Sequence, residues 1–264
     1  MNQSDLPKSW LTWAEVPRAI YALITLPLNW PLLSLAAKGD HRPIIVVPGF
    51  GTTDRSTLIL RQYLKFLGYR VRGWGLGRNL GAKTIGLHNE RLIDRLNAVY
   101  RQERQPITLI GWSMGGIMAR MVARAHPQKI REVICLGAPF TGDPFANKAW
   151  QVYERMSGHS LSHPAAQAQI AESKLPLSVP ACSIYSKSDG VVAWQTCLEP
   201  NTPNARNIAV RSAHCGFGFS AQVFRTVADR LASTHEQTAR RPAARSMHAF
   251  IAGSDSPPRG HYEW

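Results

Sequence analysis

The chain has 264 residues, of which 44% are hydrophobic and 18% are charged. This composition excludes an intrinsically disordered protein and allows one large domain with a sizeable core. The formal net charge is +14, and residues 41–139 hold 16 Lys and Arg against 5 Asp and Glu. No nucleic-acid-binding motif interleaves aromatic residues with these charges, so we predict no nucleic-acid partner and a solvated basic surface. The arginines assigned to exposed helix faces include Arg61, Arg91, Arg95 and Arg120.

Residues 1–40 form an apolar N-terminal arm, in which segment 16–37 carries Arg18 as its only charge. Three prolines interrupt this segment: Pro17, Pro27 and Pro31. Two of them would lie inside a continuous membrane-spanning helix and strain it. Three interpretations stay open. The arm packs on the domain or associates with a membrane surface, it is a signal peptide or anchor ending near Ser34-Leu35-Ala36, or it is a true span.

From residue 44 onward, short β-branched runs alternate with amphipathic segments, which is typical of a parallel α/β sheet. The predicted strands are residues 44–47, 69–73, 106–111, 132–136, 181–185 and 207–210. The predicted helices are residues 54–67, 87–104, 114–125 and 217–231. Asp54 is the predicted N-cap of the first of these helices. For residues 41–234 we therefore predict a compact α/β domain with a mostly parallel sheet of about six strands and helices on both faces.

Two further segments differ from this alternation. The roughly 40 residues 140–180, between the fourth and fifth strands, are longer than an ordinary crossover and have mixed helical character. They predict a short helical cap, or lid, over a site. The segment 235–264 is rich in Arg, Pro, Ala, Gly and Ser and has no periodicity, so it is predicted to be a disordered tail.

Ser113 lies in the pentapeptide Gly111-Trp112-Ser113-Met114-Gly115, directly after the third predicted strand and at the start of the next helix. In this strand-turn-helix context, the pattern Gly-x-Ser-x-Gly exposes a nucleophilic serine at a nucleophile elbow. The turn strains the serine backbone, and the two glycines have no Cβ to crowd it. The helix N-terminus directs free N–H groups toward the serine region. Ser113 is therefore the candidate nucleophile.

A serine hydroxyl is a weak nucleophile and needs a base together with a group that orients the base. In this type of site the acid and then the histidine follow the serine along the chain. Asp189 follows the fifth predicted strand, and His214 follows the sixth. These two residues are the predicted acid and base, and Asp143, after the fourth strand, is the rival acid.

The tetrahedral intermediate of acyl transfer needs two hydrogen-bond donors for its oxyanion. We predict the backbone N–H of Met114, which follows the nucleophile, and that of Phe50. Phe50 lies in the loop Pro48-Gly49-Phe50-Gly51, where two glycines let the backbone approach the site. No cofactor is predicted.

No metal site is predicted either. His159 and His163 have the i, i+4 spacing of metal ligands, but no third ligand is near them in the sequence, so we interpret them as solvated cap residues. The chain also lacks a Cys-x-x-Cys pair.

These motifs are similar to the four sequence blocks of bacterial lipase- and esterase-like α/β hydrolases. The matching segments are residues 47–51, 111–116, 188–192 and 212–216, and they cover residues 44–232. The resemblance implies a compact α/β-hydrolase fold and a serine esterase that cleaves carboxylic esters through an acyl-enzyme, with Ser113, Asp189 and His214 as catalytic triad. Pro48 stands where many lipases carry His, a departure that weakens the case for true lipase activity.

The implied substrate is a small-molecule ester with an apolar acyl chain. Apolar residues of the cap either line an acyl pocket or pack its helices: Trp150, Val152, Tyr153, Met156 and Leu161. Two alternatives stay open: acyl transfer or thioester, amide or lactone cleavage on the same triad, and a non-catalytic module that binds a membrane surface.

Cys135 and Cys182 lie in apolar runs and are interpreted as core residues. Cys197 and Cys215 instead follow the two triad loops, eight residues after Asp189 and one after His214. A disulfide between them would tie the acid loop to the base loop and stabilise the fold by roughly 3 kcal/mol. Such a bond would favour an exported protein, and without it the chain is expected to be cytoplasmic or membrane-associated.

Overall fold

The computed structural model describes residues 6–239 apart from Ala146, Lys148, Ala149 and His159. Its strands are β1 (Pro43–Val47), β2 (Arg70–Gly73), β3 (Ile107–Trp112), β4 (Ile130–Leu136), β5 (Ala181–Ser186) and β6 (Ala205–Val210). They form one sheet in the order β2-β1-β3-β4-β5-β6, and every neighbouring pair is parallel. The predicted fold class and the six strands are confirmed.

Helices cover both faces of this sheet. They are α1 (Ser9–Trp13), α2 (Glu15–Ser34), α3 (Leu58–Phe66), α4 (Ala82–Ile85), α5 (Glu90–Glu103), α6 (Met114–Ala125), α7 (Trp150–Ser157), α8 (Pro164–Ser173) and α9 (Ala221–Ala239). Ile44 and Val46 of β1 point into the core shared with α2, α3 and α9. Ile45 and Val47 point into the core shared with α5 and α6. Since both faces are covered, β1 is fully buried, and its sequence is a continuous apolar run.

The predicted helix boundaries need three corrections. The segment 54–67 starts as a 3-10 turn and becomes α3 only at Leu58, and its N-cap is Thr53. The Asp54 carboxylate instead accepts hydrogen bonds from the backbone N–H groups of Trp74 and Gly75. The helix predicted over residues 87–104 is α5, which begins only at Glu90, and the short helix α4 lies in the loop before it.

The third correction concerns the end of the domain. The closing helix, predicted over residues 217–231, is α9, which begins at Ala221 and continues to Ala239. Residues 235–239 are therefore helical rather than part of a disordered tail. The remainder of that predicted tail, residues 240–264, lies outside the described residues.

The prediction that Arg120 lies on an exposed helix face is wrong. Its side chain is fully buried and pairs with Glu199. Its guanidinium also donates to the backbone carbonyls of Ser173 (3.2 Å) and Leu175 (3.0 Å), where the cap segment rejoins the domain. Arg42 is likewise buried, in a pair with Glu132. Some of the arginines that contribute to the positive net charge are therefore buried. A buried guanidinium is stable only when it is paired with a carboxylate.

The N-terminal arm lies against the domain through α1 and α2. Leu26 and Leu33 enter the core beside α3 and α9, and the Tyr63 hydroxyl donates to the Leu33 carbonyl at 3.2 Å. Pro27 and Pro31 are both inside α2. Within the described part of the chain, no helix is both long enough and apolar enough to cross a membrane.

Candidate active site

Ser113 lies at the carboxyl end of the sheet, between β3 and α6, with backbone angles φ 53° and ψ −123°. A positive φ is strained for a residue with a side chain, and strain of this kind concentrates at functional sites. The neighbouring glycines make the turn sterically feasible. A Cβ on Gly111 would lie 2.3 Å from the Gly115 carbonyl oxygen, and one on Gly115 would lie 2.4 Å from the Val47 oxygen. The Gly-x-Ser-x-Gly pattern is thus required by backbone packing.

His214 and Asp189 lie in line with this serine. The Nε2 atom of His214 is 3.0 Å from the Ser113 Oγ, and its Nδ1 atom is 2.7 Å from Asp189 Oδ2. The second oxygen of Asp189 accepts the backbone N–H groups of Val191 (2.8 Å) and Val192 (2.9 Å). The rival acid Asp143 is exposed, and its Oδ1 atom accepts the backbone N–H of nearby Phe145 at 2.9 Å. The structure therefore places Asp189, not Asp143, against the histidine.

The surroundings of His214 favour its protonated form. Burial by itself lowers the pKa of the imidazole, but the adjacent Asp189 carboxylate and, to a smaller extent, that of Glu15 outweigh burial, so the pKa is raised above its usual value of 6.5. A pair of this kind both orients the imidazole and stabilises the imidazolium that forms when it accepts a proton.

The two residues predicted to supply oxyanion donors, Phe50 and Met114, both line the pocket beside Ser113. Met114 is the first residue of α6, so its N–H has no partner within the helix. Phe50 lies in the loop after β1, which packs on the elbow so closely that a Cβ on Gly49 would be 3.5 Å from the Ser113 Cβ. Among the described residues, neither amide donates a hydrogen bond to another protein group. Both are therefore free to bind an oxyanion.

Asn79 holds the loop that carries Phe50. Its amide nitrogen donates to the Pro48 carbonyl at 2.8 Å, and its backbone carbonyl accepts the Gly51 N–H at 2.7 Å. Its own N–H donates to the Thr52 carbonyl at 2.8 Å. The side chain is fully buried. Such a fully bonded buried amide fixes the loop on both sides of Phe50.

The N-terminal arm reaches the triad through a second carboxylate. Glu15 is only 3% exposed, and its two oxygens accept the backbone N–H groups of Gly190 and Cys215, each at 2.8 Å. These residues directly follow Asp189 and His214. One side chain of the arm therefore joins the acid loop to the base loop.

Neighbouring contacts strengthen this junction. The Arg18 guanidinium donates to the carbonyl of Ser188 (2.7 Å) and to its hydroxyl (2.8 Å), and the Thr12 hydroxyl donates to the Gly190 carbonyl (2.7 Å). A Cβ on Gly190 would lie 2.4 Å from the Leu11 carbonyl oxygen. The arm and the acid loop are thus in direct backbone contact.

A pocket of about 460 Å³ opens at Ser113, and the cap segment forms much of its wall. Of the cap residues expected to line an acyl pocket, Trp150, Val152, Tyr153 and Leu161 do so. Met156 does not line it and is 40% exposed. The Tyr153 ring also packs edge-on against Phe50, with 5.2 Å between ring centroids. The cap therefore contacts the loop that carries the candidate oxyanion donor.

A family model described as the alpha/beta hydrolase family matches residues 13–262. The chain belongs to the alpha/beta hydrolase family. The match includes most of the arm and all three residues of the candidate triad, and it confirms the resemblance inferred from the four sequence motifs.

Solved structures of other α/β hydrolases share the fold at low sequence identity. A monoacylglycerol lipase of Paleococcus ferrophilus has a TM-score of 0.55 and 13% identity, covering 75% of this chain and 97% of that one. A lipase-esterase related protein of Clostridium acetobutylicum has a TM-score of 0.52 and 16% identity, covering 76% of this chain and 98% of that one. Lipase B of Aspergillus fumigatus has a TM-score of 0.56 and 16% identity, covering 74% of this chain and 53% of that one. At such identities the likeness establishes the fold, and the substrate has to be argued from the residues of this chain.

The predicted disulfide is not formed in the structure of this α/β hydrolase, where the thiols of Cys197 and Cys215 are both free. Cys197 ends a 3-10 turn that packs on β5, and only 1% of it is exposed. Cys215 instead lies at the pocket wall, beside Glu15. Burial, with a further contribution from Glu15, raises the pKa of the Cys215 thiol to about 11. The Glu15 carboxylate connects the two loops, in addition to the direct hydrogen bonds between Ser186 and Ser212.

Within the described ranges, the hydrolase has no group of three His, Cys, Asp or Glu residues that could hold a metal ion. The predicted role of the His159 and His163 pair is untested, because His159 lies outside those ranges.

Proposed function

We propose that this α/β hydrolase cleaves carboxylic esters with an apolar acyl group, with Ser113, His214 and Asp189 as its catalytic triad. The observation that supports this most is the hydrogen-bonded array from Asp189 through His214 to Ser113 at the floor of an apolar pocket. The nucleophile is then next to its base, and the base is oriented by the acid, at the place where a carbonyl would bind.

The proposed reaction begins when Nε2 of His214 accepts the hydroxyl proton of Ser113 and the Oγ atom attacks the ester carbonyl carbon. The resulting oxyanion accepts the Phe50 and Met114 N–H groups, and Asp189 stabilises the imidazolium. His214 then donates its proton to the departing alcohol, which leaves an acyl-enzyme on Ser113. A water molecule, deprotonated by His214, attacks the carbonyl carbon of this ester. The bond to the Ser113 Oγ atom then breaks, His214 returns the proton to Oγ, and the carboxylic acid leaves.

The pocket supports the choice of an apolar acyl group. Its walls are mainly aromatic and aliphatic, and Lys174 is the only lining residue with a fixed charge among those described. An acyl chain would lose apolar surface to water on entering it, which favours binding. A charged acyl group would be desolvated there without a partner along most of the wall.

Ser113→Ala tests the nucleophile. The variant should lose activity on short p-nitrophenyl esters by roughly 10⁴-fold or more, with an unchanged circular dichroism spectrum. Ser178→Ala, at an exposed serine outside the pocket, is the matched control and should retain full activity. A fluorophosphonate probe should label the wild type and the control but not Ser113→Ala. Labelling at another serine, or substantial residual turnover in Ser113→Ala, would overturn the assignment.

A second comparison separates ester cleavage from the other reactions available to the same triad. The p-nitrophenyl ester, the p-nitroanilide and the thioester of one acyl group are compared by kcat/KM. We expect the ester to be the preferred substrate. A larger value for the anilide or the thioester would replace the esterase proposal with an amidase or a thioesterase while keeping the triad. No labelling and no turnover with any of them would favour a non-catalytic binding module.

A further inference from the structure

The outer side of the N-terminal arm is apolar along its length. Large apolar side chains recur every three or four residues, so they share one helix face, and each is more than half exposed. We call this set the outer stripe: Trp13, Val16, Ile20, Ile24, Leu28 and Leu32. The opposite face of α2 is packed on the domain. A contiguous exposed apolar patch of this kind typically marks an interaction site.

The composition around the outer stripe favours a lipid surface over a protein partner. From Ala19 to Ala37 the chain has no charged residue, whereas protein interfaces usually have a polar or charged rim. The exposed aromatic side chains of Trp10 and Tyr21 flank the stripe, and such residues are enriched where a membrane meets water. Because its inner face is packed, α2 can meet a bilayer only by lying along its surface.

Charge complementarity identifies the lipid. A groove of about 720 Å³ runs between the arm and the loops after β5 and β6, and Trp10 and Tyr21 form part of its arm-side wall. Three cationic residues line it, namely Arg18, Lys187 and Arg211, and none of its lining residues in the described part of the chain is a carboxylate. Lys187 and Arg211 are exposed. The net charge of +14 adds a long-range attraction to an anionic surface.

We propose that α1 and α2 bind the surface of an anionic phospholipid bilayer. The outer stripe enters the boundary between headgroups and acyl chains, and the cations of the groove face the lipid phosphates. This surface is separate from the candidate triad but adjacent to its pocket. Thr12, which lines the pocket, immediately precedes Trp13, the first residue of the stripe. A docked bilayer would therefore lie beside the pocket rim.

Flotation of the full-length chain with vesicles tests the proposal. One set of vesicles is pure phosphatidylcholine, and the other contains three parts phosphatidylcholine to one part phosphatidylglycerol. The wild type should float with the anionic vesicles and lose most of this binding at high ionic strength. Ile24→Ser/Leu28→Ser/Leu32→Ser should bind anionic vesicles at least about tenfold more weakly. Lys187→Gln/Arg211→Gln should lose several-fold in affinity for anionic vesicles only.

Matched control variants carry the same types of substitution at exposed positions outside the proposed surface. Leu58→Ser/Leu175→Ser replaces exposed leucines outside the arm, and Arg55→Gln/Arg206→Gln replaces exposed arginines outside the groove. Both should float like the wild type. The single exchange Leu28→Ser, at a side chain that is 79% exposed, is a second stripe variant for the flotation experiment and should leave the fold intact.

Three results would overturn the proposal: a wild type that floats with neither vesicle, stripe variants that float as well as the wild type, or controls that lose binding as much as the stripe variants do. Light scattering identifies the competing occupant. A wild-type dimer that fails to float, and that becomes a monomer in the triple variant, would show that a second copy covers the stripe. Because vesicle binding needs no turnover, a failed flotation experiment leaves the esterase proposal intact. Likewise, a loss of the esterase proposal leaves the proposal of bilayer binding intact.

Discussion

The N-terminal arm and the cap segment border the same pocket, but they contact the site in different ways. The arm makes directional polar contacts: Thr12, Glu15 and Arg18 all bond to groups of the acid and base loops. The cap contributes mainly rings and aliphatic side chains to the pocket wall, such as Trp150 and Tyr153. Hydrogen bonds fix distances and angles, whereas apolar packing depends on shape and volume.

This difference separates two tasks. The arm is expected to set the relative position of Asp189 and His214, and hence the rate of the chemical step. The cap is expected to set which acyl groups fit. Exchanges in the arm should therefore change kcat and its pH dependence, whereas exchanges in the cap should change the preference among substrates.

Among the exchanges in the arm and the cap, Glu15→Ala should have the largest effect. It leaves the buried N–H groups of Gly190 and Cys215 without their acceptor and loosens both triad loops. Since a misplacement of about 1 Å can cost 10²-fold in rate, we expect kcat on a short ester to fall by roughly 10- to 100-fold, with a smaller change in KM. Steady-state kinetics well below the melting temperature of the variant measures this.

Glu154→Ala is the matched control for this exchange. Glu154 is a cap carboxylate whose Oε1 accepts the Ser160 hydroxyl (2.9 Å) and the Leu161 N–H (2.7 Å), without contact to the triad. Its loss should leave kcat within about twofold of the wild type. If both variants lose kcat equally, or neither does, the division between arm and cap does not hold.

The pH profile distinguishes a positioning role of Glu15 from a merely structural one. Only neutral His214 can accept the serine proton, so kcat/KM should fall on the acid side with a midpoint above the ordinary histidine value of 6.5. The Glu15 charge contributes to the raised pKa. Glu15→Gln should therefore move the acid limb to lower pH. An unmoved limb in folded Glu15→Gln protein would rule out this electrostatic contribution.

Trp150→Ala tests the cap. Removal of this ring enlarges the pocket, so kcat/KM for long p-nitrophenyl esters should rise relative to short ones by up to about tenfold. The acid limb of the pH profile should stay where it is in the wild type. Met156→Ala, on the same helix but outside the pocket lining, should leave the chain-length profile unchanged. Equal profiles for wild type and Trp150→Ala would show that this ring does not contact the acyl group.

Much of this arrangement is predictable from the sequence because its signals are local. A fully buried parallel strand reads as an uninterrupted β-branched run, as in β1. Ser113 is identified by a turn whose glycines are required by close backbone contact. Asp189 and His214 follow because parallel strands end at one edge of a sheet, so the loops after β5 and β6 meet near the elbow.

The contributions of Glu15 and Asn79 were not predictable from the sequence. Glu15 is 175 residues from Gly190 and 200 from Cys215, and no spacing rule links positions so far apart. Asn79 lies in a Gly-rich loop, where an asparagine usually indicates only a turn. Both side chains act on backbone groups, whose positions depend on the tertiary fold rather than on side-chain identity. The burial of Arg120 was missed because it depends on Glu199 and the cap stem, both distant in sequence.

The smallest expected effect concerns the two cysteines whose disulfide the sequence suggested. Because the Glu15 carboxylate already joins the acid and base loops, a reductant should leave the melting temperature of the wild type unchanged. Cys197→Ala should lower the free energy of unfolding only by the amount expected for the loss of one small buried side chain. The decrease should be the same in oxidising and reducing buffer. Non-reducing peptide mapping should find Cys197 and Cys215 both as thiols, and Cys215 should alkylate slowly below the pKa of about 11 to which its surroundings raise it. A melting temperature that falls on reduction in the wild type but not in Cys197→Ala would show that the disulfide forms, and it would then join the triad loops in addition to the Glu15 carboxylate.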